Sequence, residues 1–70
     1  MKRTPVQSSN LLSVGYDSDT QTLEIEFRDG GIYQYYGVPE MVYRQLLTAT
    51  SHGKFFHAHI RDVYHYRKLN

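Results

Sequence analysis

The chain contains no cysteine. That excludes a disulfide framework and any thiolate metal cluster, and it accords with a reducing cytosol, so a cytoplasmic location is the expectation. Long apolar runs are missing too: nothing approaches the ~20 residues of a membrane-spanning helix. Met1-Lys2-Arg3 is basic, but no apolar segment follows it, and the pattern of a secretory signal is therefore absent. Internal repeats and low-complexity tracts are lacking. With 70 residues there is room for one domain only. A chain this small buries only about 60% of the surface it exposes when unfolded, so its stability is marginal. The core has to come from seven tyrosines, three phenylalanines and a modest set of aliphatics.

The net charge of +1 conceals an asymmetry. Residues 1–40 carry three basic and six acidic side chains, a net of −3. Residues 41–70 carry five basic side chains against Asp62 alone, a net of +4, and hold all four histidines. Such a split either steers an anionic partner to one face or marks a solvated helical surface.

Residues 1–7 are polar, include Pro5 and show no apolar period, which predicts a flexible arm ahead of a single domain over residues 8–70. Ser8 to Asp17 is expected as a strand, with Leu12, Val14 and Tyr16 on one face and Leu11, Ser13 and Gly15 on the other. Gly15 inside that pattern marks a bulge or a close backbone approach. Asp17 to Gln21 is a polar turn. Thr22 to Arg28 alternates strictly: Leu23, Ile25 and Phe27 face one way, while Thr22, Glu24, Glu26 and Arg28 face water.

The turn that follows sets the meaning of the next tyrosines. A two-residue Asp29-Gly30 turn leaves Tyr33 and Tyr35 on the wet face and buries Gln34. A three-residue loop, Arg28-Asp29-Gly30 with Gly30 left-handed, moves both rings to the core face. The second register is favoured because it buries no amide, and it leaves Tyr36 as the exposed ring. Gly37-Val38-Pro39 ends the strand, and Pro39-Glu40 suits the first turn of a helix running to about Thr50. There Val42, Leu46 and Ala49 form one apolar row, Tyr43 and Leu47 the next, with Met41, Arg44 and Gln45 outside. Ser51 is a fitting cap for a second short helix that pairs Phe56 with Ile60 and Phe55 with His59. Gly53 in its first turn permits a close approach of the two helices or of a partner's backbone. Residues 63–69 alternate weakly, as a short edge strand or an extended arm packed by Tyr64 and Tyr66. The fold class expected is α+β: a three-stranded antiparallel meander with two helices on one face and, at the end, that short strand or arm.

No catalytic constellation is legible. There is no Ser-His-Asp arrangement, and Glu24 and Glu26 on a wet sheet face are solvating charges rather than an acid–base pair. His57 and His59, two apart on a helix, diverge by roughly 200° and do not converge on one metal ion. Single-stranded RNA sites combine cations for phosphates with aromatic rings for bases. Lys54, Arg61, Arg67 and Lys68 lie among Phe55, Tyr64, His65 and Tyr66. That interleaving also fits rings recruited for the core.

The string Phe27-x-x-Gly30-x-x-Tyr33-x-Tyr35-x-x-Val38-Pro39, then Tyr43, Ala49, Ser51-x-Gly53-Lys54-Phe55-Phe56, Ile60-Arg61 and Tyr64, resembles the KTSC domain. That domain occurs at the C-terminus of some lysyl-tRNA synthetases and as a stand-alone small bacterial protein. Position 57, usually Asn in the family, is His57 in this chain. The resemblance implies a fold and, through the synthetase context, RNA as a partner. The expectation is a non-catalytic, cofactor-free RNA-binding module using Lys54, Arg61, Tyr64, Tyr66, Arg67 and Lys68. The alternative is a protein-interaction module docking through the exposed sheet face or an edge strand.

Overall fold

The computed structural model describes all 70 residues. Five antiparallel strands lie side by side in chain order: β1 (Thr4–Pro5), β2 (Leu11–Asp17), β3 (Thr22–Phe27), β4 (Ile32–Tyr35) and β5 (Tyr66–Lys68). Two helices, α1 (Glu40–Thr48) and α2 (His52–His59), connect β4 to β5. The expected α+β meander is present, widened by one short strand at each edge. The weak C-terminal alternation is a strand, β5. The core lies between sheet and helices: Leu11, Val14, Leu23, Ile25 and Tyr35 from the strands meet Val38, Leu46, Phe56 and Ile60.

The hairpin adopts the three-residue register. Gly30 has φ of 97°, the Phe27 N–H donates to the Gly31 carbonyl at 2.8 Å, and the Asp29 carboxylate accepts from the Gly31 N–H at 2.9 Å. Tyr35 therefore pairs with Leu23 and Tyr33 with Ile25, on the core face. Gln34, expected in water, is half-buried on the other face opposite Glu24.

Strand β2 departs from simple alternation. Leu11 pairs with Phe27 and Ser13 with Glu26, so Leu12 is the extra residue of a bulge. The bulge reverses the expected faces there: Leu11 is 0% exposed and Leu12 38%. Gly15 is the close approach instead. A Cβ at that position would lie 2.5 Å from the Lys2 carbonyl oxygen, because the N-terminal segment crosses the sheet at this point.

That segment, expected as a flexible arm, has partners. Thr4 and Pro5 pair with Val14 and Ser13, and the Val6 N–H donates to the Leu12 carbonyl at 3.2 Å. Arg3 reaches over the face expected to be wet. Its guanidinium pairs with Glu24, lies 3.6 Å from Glu26, and donates from Nε to Ser13 Oγ at 3.0 Å. Gln34 adds a 2.8 Å bond to Glu24, and the Tyr36 hydroxyl donates to Gln34 at 3.0 Å. Glu24 is 5% exposed, so it is a buried, paired charge rather than a solvating one.

The helices follow their caps. The Pro39 carbonyl accepts from the Val42 and Tyr43 N–H groups, and Ser51 Oγ accepts from the Lys54 N–H at 3.2 Å. Leu46 is buried, Val42 and Tyr43 pack on the core, and Met41, Arg44 and Gln45 are exposed, as the period requires. The neighbour at Gly53 is the loop before β2 rather than the other helix. A Cβ there would meet the Asn10 amide at 2.9 Å, so the glycine lets the loop before β2 lie against α2.

Candidate nucleic-acid interface

Strand alternation places Tyr33, Tyr35, Tyr66 and Lys68 on one face, since Tyr35 pairs with Tyr66 and Tyr33 with Lys68. Phe27 and Phe56 extend this surface. Phe27 and Tyr33 meet edge-on at 5.5 Å, Tyr35 and Phe56 edge-on at 5.4 Å, and Tyr66 lies 5.8 Å from both Tyr33 and Tyr35. The edge-on pairs have a preferred aromatic geometry, while Tyr66 is tilted against both tyrosines. Beside α2 the rings floor a half-open groove of about 570 Å³. It is lined also by Arg28 and Asp29 of the hairpin, by His57, Arg61 and Asp62 at and just beyond the end of α2, and by Ser9 and Asn10 of the loop before β2.

The groove's cations have no carboxylate partners. Ion pairs in the chain engage only Arg3 and Arg44 among its arginines and lysines. Arg28 donates to the Ser8 carbonyl at 2.6 Å, and Arg61 lies 3.2 Å from His57 Nδ1, which must be the acceptor because guanidinium only donates. The Lys68 ammonium sits 5.9 Å from the centre of the Tyr33 ring, within cation–π range.

Tyr35 is both core and groove floor. Its ring is 5% exposed, yet its hydroxyl makes no hydrogen bond within the chain. That oxygen is not sealed in, because no fully buried side-chain oxygen lacks a partner. Burial, reinforced by the neighbouring phenols of Tyr33 and Tyr66 and by Asp62 and opposed by Arg61, pushes its pKa up to about 12. The folded state thus holds this proton more tightly than the unfolded chain does. The associated stability is complete below pH 10 and drains away as pH rises from 10 through about 12. Solvent reaching the hydroxyl screens the effect, which is on the order of 1–2 kcal/mol. Denaturant titrations across this range should show wild type losing more stability than Tyr35→Phe by about that amount; parallel losses would contradict the assignment.

Three of the six residues read from sequence meet at the groove: Arg61 and Tyr66 line it, and Lys68 borders it over Tyr33. The other three fall elsewhere. Arg67 points to the opposite sheet face beside Gln34, because β5 alternates. Lys54 is exposed in the first turn of α2, away from the helix end that bears Arg61. Tyr64 is half-buried against the core. Sequence reasoning assigned Tyr33 and Tyr35 to the interior and did not place Phe27, Arg28 or Phe56 at a site. The missing signal is how far the helices extend over the sheet, which no local pattern carries.

Fold and groove together define a small α+β domain with an aromatic cleft on the helical side of its sheet. The KTSC domain family model matches residues 7–64, and the chain belongs to this family. It is 46% identical over 67 residues to an uncharacterized protein of Stutzerimonas stutzeri, covering 96% of this chain and 93% of that one. It is 42% identical over 64 residues to a lysine–tRNA ligase of Trichormus variabilis; the match covers 91% of this chain but only 11% of the ligase. The crystal structure of a KTSC domain protein from Yersinia pestis superposes with a TM-score of 0.96 at 46% identity, covering 99% and 97% of the two chains. No helix is long and apolar enough to cross a membrane.

Proposed function

We propose that the domain is a non-catalytic RNA-binding module that takes an unpaired segment along the aromatic groove. The observation that carries this reading is the set of rings flanked by Arg28, Arg61 and Lys68, none of which has a carboxylate partner. Bases stack on rings and phosphates pair with free cations, the two contributions that hold single strands. Occurrence of related sequence within lysine–tRNA ligases supports RNA as the partner class. The non-catalytic reading is favoured by His57, whose Nδ1 lies 3.2 Å from the Arg61 guanidinium rather than bonded to the groove's Ser9. A protein partner on the open sheet face has less support, because Arg3 and the first strand cover Ser13 and Glu24 there.

Three phosphate contacts at ~0.7 counterions each predict a log–log salt slope near about −2, a loss of about 20-fold in affinity between roughly 50 and 200 mM salt. Fluorescence anisotropy with a labelled, unstructured RNA measures it. No association with micromolar protein at the lower salt overturns the reading.

A further inference from the structure

We infer that the groove is a pocket for a single unstacked guanine, with Tyr35 and Arg61 donating to its O6/N7 side and Asp62 accepting from its N1–H and N2–H edge. The inference rests on the RNA reading above and goes further, from a backbone-tracking surface to a base-selective one.

Four features support it. At about 570 Å³ and half open, the groove lies in the size range of sites for one small planar ligand. Its floor presents an unpartnered hydroxyl on Tyr35, a side chain more than nine-tenths buried. A purely structural ring in that position needs no hydroxyl, and this one, reachable from the groove and bonded to nothing in the chain, is free to donate to whatever occupies it. Tyr66, 59% exposed, and the half-buried Tyr33 beneath Lys68 offer stacking surfaces beside that hydroxyl. Asp62 lines the same groove, holds φ at 63° without being glycine, and forms no ion pair.

The donor and acceptor set selects the base. A carboxylate accepts only, and guanine alone among the four bases carries two adjacent donors on its Watson–Crick edge. Adenine and cytosine each place a ring acceptor beside their amino group. Uracil flanks its single N–H with two carbonyls. Each of these would set a lone pair against the Asp62 carboxylate. On its other side guanine offers O6 and N7, the pair that arginine commonly reads.

The test uses the full chain and three eleven-nucleotide RNAs: oligouridine, and oligouridine with one central guanine or one central adenine. Anisotropy at low salt should give about tenfold tighter binding of the guanine RNA than of the other two. Asp62→Asn should bring the guanine-to-adenine ratio within about twofold of unity. That ratio is the readout because removing a negative charge tightens all RNA alike, and asparagine tolerates the left-handed backbone at this position. Tyr35→Phe keeps the ring and should weaken the guanine RNA by about fivefold while leaving oligouridine unchanged. Equal binding of the three RNAs by wild type, or a ratio unmoved in Asp62→Asn, overturns the base pocket while RNA binding itself stands. Failure of wild type to bind any of them overturns both.

Discussion

Replacing Tyr35 with alanine is expected to cost about 3–5 kcal/mol, the usual penalty for removing a large ring from a packed interior. The ring is almost wholly buried, lies 5.4 Å from Phe56, 5.8 Å from Tyr66 and 6.4 Å from Tyr33, and pairs across the sheet with Leu23. In a domain of this length such a loss lowers the melting temperature by at least about 12 °C, and it consumes much of the total stability. Calorimetry or thermal circular dichroism decides the matter. A shift of only a degree or two would mean that the ring belongs to the groove alone and that the core is held by the aliphatics.

The second large effect lies on the other sheet face. Arg3→Ala should destabilise the domain by about 2–4 kcal/mol, because it leaves the Glu24 carboxylate buried with only the Gln34 amide for company. The figure falls short of the largest values for buried pairs since the Arg3 side chain is itself 25% exposed. The same substitution frees the N-terminal segment, whose pairing with β2 covers just two residues. Adding Glu24→Gln to the variant should restore part of the loss by removing the stranded charge. A double-mutant cycle by chemical denaturation measures the coupling. Additive, near-zero effects would show that the guanidinium is solvated and that the arm contributes nothing to the fold.

Much of the architecture was legible in the sequence for local reasons. Strand β3 declares itself by strict alternation, and the Asp29-Gly30-Gly31 turn allowed a choice of register from the cost of burying the Gln34 amide. Pro39-Glu40 and Ser51 mark two helix starts, found at Glu40 and His52, the second secured by the Ser51 side-chain cap. The misreadings arise where structure depends on distant partners. Leu11 and Leu12 are adjacent and equally apolar, so nothing local says which is inside; the answer comes from pairing with Phe27 across the sheet. Strand β1 is two residues long, contains a proline, and is secured through Arg3 reaching a glutamate 21 positions away. The same limitation applies to the groove. The cations of the C-terminal half looked like one cluster along the chain, but β5 alternates and its pairing with β4 sends Arg67 to one face and Lys68 to the other. Tyr33 and Tyr35 were correctly placed with the core face, yet their other role depends on the open cleft beside α2.

The central claim is that RNA contacts the helical side of the sheet at the aromatic groove. Residue-by-residue amide and side-chain chemical shifts, followed during titration with an unpaired RNA, test it most directly. The account predicts that the changes concentrate on Tyr33, Tyr35, Arg61, Tyr66 and Lys68 and spare Lys54 and Tyr36. Shifts centred on Lys54, or on the Arg67 face beside Gln34 and Glu24, would contradict it.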